Sequence, residues 1–211
     1  MDNSFDFFDA IFCINLDKRP DRWIHAQEQF KKIGILDKVK RFSAIERKDG
    51  RLGCIKSHLE IIKYAQKNNL NNVLIFEDDV VFMDENVELI MGNVINQIPE
   101  NWEMLYLGAN LHTPLNKYSD NLVLLINGFS THAVAYNKSI FDFFVNKYNK
   151  MNAVTLQSDI LDVWIANHIQ TRGKTFLVKP LLASQINDYS DIVKSNVDYS
   201  FIKERYKKFV Q

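Results

Sequence analysis

Glycine and proline are scarce in this chain, at seven and four of 211 residues, and cysteine occurs only twice, at Cys13 and Cys54. Two cysteines beside apolar neighbours exclude a disulfide-stapled secreted scaffold and favour a reducing compartment. No run of about 18 apolar residues is present, so no membrane-spanning helix is expected. The opening Met-Asp-Asn-Ser-Phe-Asp-Phe-Phe-Asp carries acids where a secretory signal carries lysine or arginine, and a cytoplasmic location is the expectation. Net charge is absent too: 26 basic and 26 acidic side chains cancel. There is then no global field to draw nucleic acid or an anionic surface, and partners must be read from local sites. Internal repeats and low-complexity segments are also missing.

What is present is apolar substance, 46% of the residues with 12% aromatics. That suffices for one large core and favours a single domain over residues 1–211. Apolar runs alternate with helical spacing. Ala10-Ile-Phe-Cys-Ile-Asn-Leu16 reads as a strand covered on both faces. Trp23, Ala26, Phe30 and Ile33 follow at helical spacing, with Asp21 as the expected N-cap and Gly34 as the stop. A strand over 39–45, a helix opening at Gly53, and a buried strand at Val73-Leu-Ile-Phe76 come next. Helices over 85–98, 139–149 and 159–171, and strands over 104–107, 122–126, 132–136 and 176–181, complete the pattern. The fold class is α/β, with a mostly parallel central sheet flanked by helices. Residues 198–211 alternate aromatic and basic side chains, which predicts a C-terminal helix packed on the domain or, alternatively, a peripheral membrane contact.

The sharpest chemical feature is Val73-Leu-Ile-Phe-Glu-Asp-Asp-Val80. It delivers Glu77, Asp78 and Asp79 at the carboxyl end of a buried strand, where ligands of open α/β sheets gather. Alternation along extended backbone would turn Glu77 and Asp79 one way and Asp78 the other. Two carboxylates on one side can share Mg²⁺ or Mn²⁺, whose open positions take phosphate oxygens. A solvated turn with a helix N-cap is the competing reading of the same triplet. The loop Asn15-Leu-Asp-Lys-Arg-Pro-Asp-Arg22 enters a helix, whose N-terminus attracts phosphate, and Lys18, Arg19 and Arg22 add charge. Without glycines it is neither a P-loop nor a dinucleotide fingerprint, and a plain charged loop fits equally. Ser57 and His58 lie on the helix preceding the acidic strand, where a structural histidine is the commoner case. Asp159 is either a helix cap or a functional acid, and Asp162 stands a turn beyond it.

Taken in order, these segments resemble glycosyltransferase family 25, the lipooligosaccharide and collagen galactosyltransferases. The matching stretches are Ile14 to Arg22, Gly53 to Leu59, Val73 to Val80, Gly128 to Lys138, Asp159 with its apolar followers, and Pro180-Leu-Leu-Ala-Ser-Gln185 before Ser190-Asp-Ile192. They span nearly the whole chain. The resemblance implies a GT-A fold, a UDP-sugar donor carrying galactose or glucose, Mn²⁺ with Mg²⁺ as the alternative, and inverting transfer to a glycan or hydroxylysine hydroxyl. It assigns Glu77 and Asp79 to the metal, and Asp78, Asn15, Arg19 and Arg22 to the donor. Ser57 and His58 fall near the donor, and Asp159 is the base or acceptor contact. His132, Asp188 and Asp191 are candidates for a third metal ligand. Two other classes stand beside this one: a Mg²⁺-dependent phosphohydrolase, and a non-catalytic carbohydrate- or nucleotide-binding domain of the same fold.

Overall fold

The apolar run at Ala10 forms strand β1 (Ala10–Asn15), buried at every position. A strand of that kind needs cover on both faces, and β1 obtains it inside an eight-stranded sheet. The computed structural model describes residues 3–149 and 161–210. Helix α1 (Pro20–Lys32), strand β2 (Val39–Ser43), helix α2 (Gly50–Lys67), strand β3 (Asn72–Glu77) and the short β4 (Val80–Phe82) follow β1. Then come α3 (Val87–Ile95), β5 (Met104–Tyr106), β6 (Asn110–Leu111), β7 (Asn116–Lys117), β8 (Leu122–Leu124), β9 (Gly128–Phe129) and β10 (Ala133–Asn137). The chain continues through α4 (Lys138–Asn149), α5 (Leu161–His168), β11 (Thr175–Val178), β12 (Ala183–Gln185), β13 (Asp188–Ser190), β14 (Ser195–Val197) and α6 (Ser200–Phe209).

Strand order in the large sheet is β2-β1-β3-β10-β5-β11-β8-β7. β1 is parallel to both β2 and β3, and β11 is parallel to β5, while β10 and β8 run antiparallel to their neighbours. Six strands therefore share one direction, which is the mostly parallel sheet expected, and β10 and β8 are reversed within it. Side chains alternate between faces. Ala10, Phe12, Ile14, Val73 and Ile75 enter the core shared with α2, α4, α5 and α6, whereas Ile11, Cys13, Leu74 and Phe76 enter the core under α1 and α3. The same parity turns Glu77 toward α2.

Element ends differ from expectation for local reasons. Helix α1 starts at Pro20 with Arg19, not Asp21, in the cap position. Proline is preset for the first helical turn and lacks the amide that would need a partner there, which leaves Asp21 inside that turn. Helix α2 begins at Gly50, three residues before Gly53, because the Asp49 side chain accepts from the Arg51 amide. Ser57 and His58 consequently lie two turns inside the helix, both buried. The C-terminal helix α6 seats Ile202, fully buried, in the core. No described helix is long and apolar enough to cross a membrane.

Candidate functional site

A cleft of about 130 Å³ opens at the carboxyl ends of β1 and β3. Its walls are the β1–α1 loop, the start of α2 and the β13–β14 hairpin, and Glu77, Asp78 and Asp79 all line it. Parallel neighbours β1 and β3 end side by side, so their following residues face one crevice.

Strand β3 stops at Glu77, and Asp78 and Asp79 form the turn into β4. The alternation expected to pair Glu77 with Asp79 therefore ends at Glu77, and the two carboxylates take different partners. Glu77 Oε1 accepts from Thr131 Oγ1 at 2.7 Å, lies 3.6 Å from His58 Nε2, and receives the Cys54 thiol at 3.8 Å. Burial opposes its ionisation, but the His58 imidazole and the Thr131 hydroxyl together bring its carboxyl below the usual range. Asp79 Oδ2 accepts from Gln185 Nε2 at 2.9 Å and stands 3.8 Å from Arg22. Its Oδ1 is buried without a partner. Burial, then the charges of Glu77 and Asp78, push the Asp79 carboxyl up to about 7. Burial also raises Asp78, whose Oδ2 accepts from Asn15 Nδ2 at 2.6 Å. All three acids line one cleft and one keeps an orphan buried oxygen, the donor type a hard divalent cation takes. Among the described residues, however, the group whose ligand atoms lie within 4.8 Å of one another is Cys54, His58 and Glu77 and not the triplet.

The nucleotide-side residues gather around the cleft, although Asn15 itself does not line it. Asn15, 1% exposed, donates to Asp78 and to the Arg19 carbonyl and accepts from Arg41 Nε. Arg19 and Arg22 line the cleft, yet both are engaged. Arg19 pairs with Asp21 and, at 2.6 Å, with Asp191. Arg22 pairs with Asp188 at 3.1 Å and donates to the Tyr189 carbonyl. These contacts seat the β13–β14 hairpin on the cleft rim and occupy Asp188 and Asp191, two of the three candidates for a further metal ligand. The third, His132, is buried with neither ring nitrogen partnered, and burial lowers its imidazole to about 4. It does not line the cleft.

Ser57 lines the cleft, but its hydroxyl donates to the Gly53 carbonyl and accepts from the Ile45 amide, tying α2 to the loop after β2. His58 reaches the acidic strand end through Glu77. Asp159 lies outside the described residues; Asp162, near it in sequence, accepts from the Ser130 amide. Sequence reading missed Cys54, Thr131 and Gln185 as contacts of the acidic strand end. Cys54 and His58 share one helix face at a four-residue spacing, a legible signal; Thr131 and Gln185 reach the acids through strand pairings far apart in the chain.

The family model described as glycosyltransferase family 25 (LPS biosynthesis protein) matches residues 48–201. A Haemophilus influenzae relative carrying a provisional glycosyltransferase name is 35% identical over 106 residues, 50% of this chain and 32% of its own. The Mus musculus inactive glycosyltransferase 25 family member 3 is 31% identical over 96 residues, 43% of this chain and 16% of its own. This chain thus matches less than a third of the length of either relative. Among solved structures, a glycosyltransferase involved in glycosylation of the major capsid of PBCV-1 shares the fold at a TM-score of 0.55 and 11% identity, over 80% of this chain and 79% of that one. The fold is of the GT-A type, and the chain belongs to glycosyltransferase family 25.

Proposed function

We propose that this chain transfers a hexose, galactose or glucose, from a UDP-sugar to an acceptor hydroxyl on a glycan or a hydroxylysine, with inversion at the sugar carbon. The observation that carries the reading is the convergence of Glu77, Asp78 and Asp79 on a single cleft at the switch from β1 to β3. Glu77 and Asp79 would hold Mn²⁺ or Mg²⁺, which when bound supplies charge for a departing diphosphate. Asn15 fixes Asp78 toward the donor side through its 2.6 Å bond. Arg19 and Arg22 stand where a diphosphate would enter, and would exchange their carboxylate partners on the hairpin for phosphate oxygens. Asp159 is the proposed base for the acceptor hydroxyl proton.

The inactive mouse relative supports a second reading, a binding domain of the same fold without turnover. Thermal shift with UDP, GDP, CMP and UDP-sugars, each with and without Mn²⁺, separates the readings when run beside a transfer assay. A ligand held only by the folded state raises the melting temperature. A Mn²⁺-dependent shift confined to UDP compounds and lost in Asp79→Ala, together with hexose transfer, supports the transferase. The same shift with no transfer to any glycan or hydroxylysine acceptor supports the binding domain. No shift with any nucleotide overturns both.

A further inference from the structure

Beneath the acidic triplet, on the α2 side of the sheet, Cys54 and His58, to which the transferase reading gives no role, gather around Glu77, which it does use. Cys54 and His58 stand one helical turn apart on α2, and the end of β3 sets Glu77 opposite them. Cys54 Sγ, a His58 ring nitrogen and a Glu77 oxygen all lie within 4.8 Å of one another. His58 is fully buried, and its Nε2 has no hydrogen-bond partner although it faces Glu77 Oε1 at 3.6 Å.

We propose that Cys54, His58 and Glu77 form a site for a borderline-soft divalent cation of the Zn²⁺ class, distinct in ligand chemistry from the all-oxygen seat proposed for Mn²⁺. Sulfur, imidazole nitrogen and one carboxylate oxygen are the donors such a cation prefers, and Mg²⁺ or Mn²⁺ would not choose the thiolate. The spacing is close to what coordination needs. A tetrahedral ion with ligands at about 2.0 and 2.3 Å holds them roughly 3.3 to 3.5 Å apart. Here sulfur to oxygen is 3.8 Å and nitrogen to oxygen 3.6 Å. The sulfur and the imidazole nitrogen lie within 4.8 Å of each other, and side-chain movement on metal binding would draw them together.

Outer contacts favour the same arrangement. His58 Nδ1 lies 3.1 Å from the Tyr136 hydroxyl, so an Nδ1 proton can rest there and leave the Nε2 lone pair for the ion. Thr131 Oγ1 donates to Glu77 and holds the carboxylate in place. The Cys54 thiol, now a donor to Glu77, would give its proton to solvent as the metal–sulfur bond forms. Cys54 and Glu77 both line the cleft, which leaves the fourth position open toward it. The site rests on these side chains and stands whether or not the chain transfers sugar. Glu77 belongs to both seats, so a soft ion here would compete with Mn²⁺ for it.

The test uses the metal-free whole chain without nucleotide, titrated with Zn²⁺ and with Co²⁺ as its coloured substitute. One Zn²⁺ per chain and a thiolate-to-cobalt charge-transfer band are expected. The band should vanish in Cys54→Ser and persist in Cys13→Ser. Tyr136→Phe, which keeps all three ligands, should keep the band and weaken Zn²⁺ binding about tenfold. In the wild type, saturating Zn²⁺ should slow alkylation of Cys54, a measurement that needs no variant to fold. Absence of the band, its survival in Cys54→Ser, or alkylation unchanged by Zn²⁺ would overturn the site.

Discussion

Asn15 Nδ2 donates to Asp78 Oδ2 at 2.6 Å, joining the ends of adjacent parallel strands beside the cleft. The same amide group donates to the Arg19 carbonyl, and its oxygen accepts from Arg41, so one buried side chain fixes the acidic turn, the entry to α1 and the edge strand β2. Removing it with Asn15→Ala leaves Asp78 and the Arg41 guanidinium each short of a partner. A loss of about 1.5–3 kcal/mol is expected from a hydrogen bond to a charged group. Urea unfolding should show it, along with a smaller thermal shift from UDP and Mn²⁺.

Asp79 makes the cleft pH-sensitive. Its folded carboxyl sits at about 7 against an ordinary 3.8, so the folded state holds a proton that the unfolded chain releases. Its stabilising contribution is complete below pH about 4 and is lost as pH rises through 7. Asp79→Asn keeps an acceptor for Gln185 and carries no charge. In chelator, the variant should gain on wild type between pH 4 and 7, reaching on the order of 2–4 kcal/mol at pH 8. Added Mn²⁺ should reverse the ranking, because only the carboxylate rewards the ion. Parallel pH profiles for the two proteins would sink this account.

His132 has the opposite sign. Its folded imidazole sits at about 4 against 6.5, so its contribution is complete above pH about 6.5 and disappears as pH falls through 4. His132→Gln should therefore lose less stability than wild type between pH 7 and pH 4, the difference being on the order of 3 kcal/mol. Chemical denaturation at both pH values measures it, and equal losses would show that the ring already finds water in the native state.

Gly53 sets how closely α2 approaches the loop after β2. A Cβ there would meet the Ile45 carbonyl oxygen at 2.5 Å, whereas a Cβ at Gly92 in α3 meets nothing within 4 Å. Gly53→Ala should cost about 1–3 kcal/mol by forcing the loop outward and should weaken UDP binding, since Ala44, Ile45 and Glu46 line the cleft. Gly92→Ala should stabilise by about 0.5–1 kcal/mol. Urea midpoints for the two variants should move in opposite directions.

Much of the scaffold was readable in the chain. The apolar runs at Ala10 and Val73 had to be covered strands, and the acids following Phe76 had to emerge at a strand end, because burial and polarity change abruptly there. Asn15, Arg19, Arg22, Ser57, His58 and the triplet do converge on one region of the fold. What periodicity could not supply was the direction of individual side chains once β3 ended: Asp78 and Asp79 lie in a turn, where alternation no longer applies. Nor could it show that Arg19 and Arg22 would be engaged by Asp188 and Asp191, more than 160 residues away.

Local sequence thus determined the longer helices and strands and where charge gathers, since propensity, periodicity and capping act over a few residues, while the short strands β4, β6, β7, β9, β12, β13 and β14 carried no such signal. Tertiary structure alone decided who meets whom. Thr131 reaches Glu77 because β10 runs antiparallel beside β3. Gln185 reaches Asp79 because β12 pairs with β4. Cys54 and His58 reach Glu77 because α2 packs on the face to which the parity of β3 sends it. Such contacts depend on strand order and register, which are set by the burial of the whole core and not by any short stretch of chain.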